Sequence, residues 1–192
     1  MMTILHSISS TSSTTVQRTE AFSWPRGTEH TPDDILIGGT SLTAAARGGQ
    51  TPLVRIGETS VPDASSLVRR AFVTVLVTRV IHVDRLGMLQ RPDVWVDADL
   101  RVCEPIMEAA RIIGRAATDR RRRARMLTET DPATHRDVKL SADIQPGDLI
   151  AIPCHGTLPH THVARHFPNP VVLADKPDDQ GGDPGFYGSC GK

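Results

Sequence analysis

The stretch DVKLSADIQPGDLIAIPCHGTLPHTHVARHFPNPVVL, residues 137–173, decides how this chain is read. Pro146-Gly147-Asp148 is a turn signal, and the apolar run Leu149-Ile150-Ala151-Ile152 that it launches reads as a strand. A second run, Val171-Val172-Leu173, follows a proline-punctuated loop. Between the two lie Cys154, His155, His160, His162 and His166, the densest group of side chains able to do chemistry.

Working outward, residues 67–83 (LVRRAFVTVLVTRVIHV) are dominated by Val, Ile, Thr and Phe, which favour a pleated surface over a helix. The run is longer than an ordinary strand, which predicts one long bent strand or two joined by a bulge. Residues 93–99 (DVWVDAD) alternate, with Val94 and Val96 on one face. Residues 33–39 (DDILIGG) predict a short strand ending in a glycine turn, and residues 53–56 another strand before a turn at 61–66. By propensity the one good helix candidate is 107–124 (MEAARIIGRAATDRRRRA), with Pro105 near its start; a partly stranded segment with an arginine loop is the alternative. Its arginines 120–123 read as a solvated helix end rather than a phosphate patch, and 128–136 as a turn-forming linker. Short strands at fairly regular spacing predict a mainly β fold: a Greek-key-type β-barrel with one or two short helices and irregular termini. Residues 1–30 are expected to form a flexible arm with Phe22 and Trp24 as anchors, 31–175 the barrel, and 176–192 an irregular tail.

The chain has 22 basic and 22 acidic side chains, so no global field draws it to nucleic acid or to an anionic membrane surface. A small neutral or zwitterionic partner is expected instead. Only three of the basic residues are lysines (Lys139, Lys176, Lys192), and none sits in the apolar setting an imine-forming lysine requires. Cys103, Cys154 and Cys190 are too widely spaced for a disulfide framework or a CxxC metal site; buried or incidental thiols in a reducing compartment are expected. With no apolar run of about 20 residues and no signal-peptide pattern, a cytoplasmic protein without membrane contact is expected.

From about Ile35 to Asp175 the chain resembles the C-terminal half of the fold-type III PLP-dependent decarboxylases, the ornithine, diaminopimelate and arginine decarboxylase family. Ile37-Gly38-Gly39 looks like a remnant of the family's glycine-rich strand, and Ser66-Leu67-Val68 and Leu76-Val77-Thr78-Arg79-Val80-Ile81 match its "SLV" and "LVTRVI" segments. Val96-Asp97-Ala98-Asp99 resembles "VDxG". Asp137-Val138, Pro146-Gly147-Asp148-Leu149-Ile150, Gly156-Thr157-Leu158, Phe167 and Pro170 resemble the terminal "DV…PGDLL…GAY…FN…P" region.

The departures carry the functional content. Val61-Pro62-Asp63-Ala64 stands where the family's Glu-Pro-Gly-Arg is implied to serve the PLP ring nitrogen and phosphate. Glu104 and Met107 replace the arginine and tyrosine of its Arg-Pro-x-x-Tyr segment, Leu158 replaces another tyrosine, and Asp131-Pro132-Ala133-Thr134-His135 lacks its dimer-reaching cysteine. The PLP-lysine barrel is absent too, so a self-contained PLP decarboxylase is excluded and no cofactor is expected; a phosphate and a pyridinium without partners would cost several kcal/mol.

Two functions follow as expectations. The first is a PLP-independent small-molecule biosynthetic enzyme, such as a cyclase, lyase or isomerase of specialised metabolism. Asp137, His155, His135 and Cys154 would be its catalytic set, with Glu104, Met107, Leu158 and His162 toward substrate. The second is a non-catalytic or regulatory partner of a decarboxylase, so the expected partners are a small molecule and either a second copy or a decarboxylase-like chain. The histidines around Pro146–His162 also resemble half of a cupin metal motif, but the chain has no upstream HxH with a trailing Glu, and loop histidines are expected. Cys103 and His162 resemble a family of cysteine peptidases whose Asp-Cys-Ser-Gly signature is missing.

Overall fold

A computed structural model describes residues 22–62, 68–85, 91–118, 120–129 and 131–164. In chain order β1 (Thr28–His30), β2 (Ile35–Ile37) and β3 (Thr40–Ser41) form a small antiparallel sheet, and helix α1 (Leu42–Gly48) follows. Then come β4 (Leu53–Pro62), β5 (Val68–Asp84), β6 (Asp93–Val96), a 3-10 turn (Met107–Ala109), β7 (Arg111–Ile113), β8 (Arg121–Thr128), β9 (Asp131–Ser141), β10 (Leu149–His155) and the one-turn α2 (His160–Val163). The large sheet runs β7-β10-β5-β6-β8-β9, with β4 also on β5. Every pairing in it is antiparallel except β6 with β8.

The seventeen-residue β5 is the spine, as its composition predicts. Val80 exchanges backbone bonds with the Gly147-Asp148 turn before β10, whereas the Arg79 carbonyl accepts the Asp97 amide after β6. Successive residues of a strand face opposite edges. β10 therefore takes one edge of β5, while β4 and then β6 share the other. The expected bulge is present: register shifts between Val80 and His82.

β5 and β10 read as continuous apolar runs because both of their faces are buried. Leu76, Val80, Ile150, Ile152 and Cys154 enter a large core with Val94, Val96, Met126, Val138 and Leu140. The alternate residues Val75, Val77, Leu149 and Ala151 enter a second core under Trp24, Ile35, Leu42 and Ala46. The lid of this second core is built locally. Gly38 and Gly39 take φ of 56° and 75°, as a two-residue hairpin loop between β2 and β3 demands. Ser41 then caps α1 by accepting the Ala44 amide, and the spacing of Leu42 and Ala46 puts both on the buried face. Trp24 is buried and meets the His30 ring edge-on at 5.1 Å, so residues placed in the arm by sequence anchor the body.

Three expectations change. The helix predicted over 107–124 is a 3-10 turn followed by β7 and the start of β8. Ile112 and Ile113 pair with Ile150 and Leu149 and fill opposite cores, a demand no helix could meet, and Gly114 at φ 88° turns the chain away. Along β8, Ala124 and Met126 go into the core, while Arg125 grips Asp93 of β6 with two bonds of 2.6 and 2.7 Å. The linker predicted over 128–136 is mostly β9. The mainly β class holds, but among the described residues the sheet does not close as a barrel: β7 and β9 end its strand path, β4 branches from β5, and no ladder joins β7 to β9. The strand expected at Val171–Leu173, the tail and Cys190 lie outside the described residues. No described helix is long and apolar enough to cross a membrane.

Candidate functional site

Where β7 and β9 face each other across the open seam, a cavity of about 280 Å³ is left. Strand pairing dictates its lining. Lys139 and Ser141 alternate onto one face of β9, and Arg121 of β8 lies in register with Ser141. From the opposite edge Arg111, Ile112 and Ile113 of β7 complete the wall, and Thr118 comes from the connection to β8. Ser141 and Thr118 hydroxyls lie 2.8 Å apart, the Ser141 hydroxyl reaches the Thr118 carbonyl at 2.9 Å, and the Ala142 amide donates to the Arg120 carbonyl at 2.8 Å. These bonds tie one end of the seam without a ladder.

The cavity carries three cations, Arg111, Arg121 and Lys139, and one carboxylate, Asp34. Asp34 is already satisfied. It accepts from the Ile35 amide (2.8 Å), the Thr43 amide (3.1 Å) and hydroxyl (2.6 Å), and the Ser41 hydroxyl. Burial alone would raise its pKa, but these bonds outweigh burial and hold the carboxyl below its usual range. Arg121 and Lys139 are exposed and have no ion-pair partner among the described residues. A second cleft, of about 330 Å³, also has three arginines, but they are engaged. Arg115 grips Asp143 and Asp148, Arg47 donates to the Gly114 carbonyl at 2.8 Å, and Arg79 reaches Thr51.

None of the eight residues singled out from sequence lines either cavity. Met107, Cys154 and Leu158 are buried in the large core. Glu104 and His155 meet through their backbones, amide to carbonyl at 3.0 Å, and both are exposed. His162 is exposed on α2, two residues after His160, whose ring meets the Pro52 carbonyl at 2.9 Å. His135 and Asp137 share the outward face of β9, opposite Leu127 and Arg125, and Asp137 pairs with Arg91 at 3.3 Å. No described group of three or more His, Cys, Asp or Glu is arranged to hold a metal. Val61, where the resemblance would set an acid serving the PLP ring nitrogen, is an exposed aliphatic on β4 with no polar group to offer such a cofactor.

Sequence reasoning passed over Arg111 and Ser141, set Arg121 aside with the 120–123 run as a solvated helix end rather than a phosphate patch, and weighed Lys139 only as an imine former. The signal was the arginine run itself, which alternates with Ala124 and Met126 in the strand period once that segment is seen as β8. No protein-family model matches the chain, and no curated protein matches it either.

Proposed function

We propose that this chain is a small-molecule-binding β domain, working in the cytoplasm without PLP, whose ligand is a compact anion with an apolar body held in the seam. The observation that carries this reading is the convergence of Arg121 and Lys139, neither with an ion-pair partner among the described residues, beside Arg111 of a third strand, on one cavity whose one described carboxylate, Asp34, is already satisfied. Ile112, Ile113 and Leu140 supply the apolar wall. Carboxylates and phosphate esters match such a set, because charge-assisted bonds from Arg and Lys are the strong ones. Among the described residues the cavity lining has no His or Cys to move a proton or attack, which favours recognition over turnover.

The test is calorimetric titration with phenyl phosphate beside uncharged benzyl alcohol. Phenyl phosphate is expected to bind at least tenfold more tightly, and Arg121→Gln and Lys139→Gln each to weaken it about tenfold, the loss of one charge-assisted bond. Equal binding of the two probes, or variants indistinguishable from the parent, sinks this reading.

A partner-subunit reading is favoured by one observation. Ile56 and Phe72 are 50% and 55% exposed and are diagonal neighbours on one face of the β4–β5 ribbon; Glu58, opposite Phe72, makes a diagonal ion pair with Arg70 at 3.9 Å beside them. One acid and one base around an apolar centre make a patch complementary to itself, so the occupant this reading names is a second copy. Sedimentation should then show a dimer that Phe72→Glu converts to monomer; a monomeric parent at high concentration removes the reading.

A further inference from the structure

Cys103 and Cys154 lie apart from the seam, and both thiols are free and buried. The backbone brings them together. The Ile106 amide donates to the Pro153 carbonyl at 2.8 Å, the His155 amide donates to the Glu104 carbonyl at 3.0 Å, and Pro105 bridges Cys154 in antiparallel sense. Residues 103–106 thus run along the end of β10 as a short added strand. With Pro105 opposite Cys154, the alternation of side chains puts Cys103 and Cys154 on one face as diagonal neighbours. The Cys103 thiol donates to the Leu100 carbonyl at 3.3 Å and the Cys154 thiol to the Ile152 carbonyl at 3.7 Å. The neighbouring Cys154 side chain pushes the Cys103 thiol below its usual value; burial and Asp99 oppose it, and the Arg136 guanidinium assists. The Cys103 side chain and burial hold the Cys154 thiol well above the usual value. One sulfur is therefore the better thiolate and its neighbour remains a thiol, the asymmetry that a nucleophilic and a resolving cysteine need.

The geometry points to Cys103 and Cys154 as a reversible dithiol–disulfide couple that takes a peroxide as oxidant and staples residues 103–106 to the end of β10. The Cys103 thiolate attacks one peroxide oxygen. The O–O bond breaks, the departing hydroxide takes up a proton to become water, and Cys103 becomes a sulfenic acid. The Cys154 sulfur then attacks the sulfenic sulfur; the S–S bond forms, the S–O bond breaks, and hydroxide leaves with the Cys154 proton as a second water. In total two thiols lose two electrons and two protons, and one hydrogen peroxide becomes two waters. A dithiol reductant restores the thiols by exchange. The staple would lock the same end of the sheet where the Asp99 amide already binds the Val163 carbonyl at 3.0 Å and Ala98 bridges Ala164.

The experiment treats the full chain carrying Cys190→Ser with a few equivalents of hydrogen peroxide, blocks free thiols with an alkylating agent under denaturing conditions, and maps peptides without reduction. The expected result is loss of about two mass units, neither cysteine alkylated, a cross-linked peptide pair containing Cys103 and Cys154, and full reversal by dithiothreitol. Tm of the oxidised form is expected to rise by roughly 10 °C, because the bridge closes a long loop of the unfolded chain. Cys103 trapped as sulfinic acid without a cross-link, or both cysteines still alkylated after peroxide, overturns the proposal.

Discussion

Replacing Arg115 with alanine is expected to cost about 3 kcal/mol of folding stability. Its guanidinium forks onto Asp148 with bonds of 2.8 and 2.7 Å and reaches the Asp143 carboxylate at 2.9 Å and its carbonyl at 3.1 Å. The Asp148 side chain is only 5% exposed, and its remaining partner is the Gln145 amide at 3.0 Å. Removing the arginine leaves that carboxylate buried without its counter-charge, which is costlier than never having formed the pair. Arg115 is itself 26% exposed, so water recovers part of the loss, and the low end of the range for broken buried pairs applies. The network also holds the Pro146-Gly147 turn where β10 begins, Gly147 taking φ of 90°. Arg115→Lys keeps the charge but not the fork, and should fall between parent and alanine. Urea unfolding measures this; a cost under about 1 kcal/mol would show that the turn is held by β10 alone.

The same network sets an acid limit. The Arg115 guanidinium, with help from Ser141, holds the Asp143 pKa at about 2, below the ordinary 3.8. A carboxyl whose folded pKa is depressed stabilises the fold fully above its unfolded pKa and loses that contribution as pH falls through the folded value. Stability should therefore decline between about pH 4 and pH 2, and less steeply in Arg115→Ala. Parallel acid profiles for the two chains would contradict this.

Ile150→Ala is expected to cost about 4 kcal/mol. Ile150 is fully buried in β10, in register with Thr78 of β5 on one side and Ile112 of β7 on the other. Neighbours on hydrogen-bonded strands cannot close over the missing atoms, so the loss of transfer energy is joined by that of a cavity. Ile56→Ala, on the exposed ribbon, is the matched control and should cost less than about 1 kcal/mol. Guanidinium unfolding of both decides it; similar costs would mean that the large core is loosely packed at β10.

Strand identity was legible wherever the local pattern and the tertiary demand agreed. β5, β6 and β10 are rich in residues suited to strands, and their apolar positions are those the two cores fill. The Gly38-Gly39 turn was legible for a similarly local reason, since the backbone there needs positive φ. The segment 107–124 was misread because Ala and Arg carry helix propensity in any context, whereas the strand at Arg111–Ile113 exists only because β10 offers it an edge. The same contrast separates the two kinds of functional residue. Cys154 and the histidines around it stand out in one dimension as groups with chemistry, but pleat alternation sends Cys154 inward beside Cys103 and leaves His155 exposed.

The sequence by itself determined the mainly β class, the long bulged spine and the strand launched from Pro146-Gly147-Asp148, because each rests on interactions between residues near one another in the chain. Only the tertiary structure decided that no ladder joins β7 and β9 among the described residues, and that Arg111, Arg121 and Lys139 meet there. The physical reason is that register and strand order are set by long-range burial: which edge remains unpaired, and which cations face it, depends on every other pairing in the sheet.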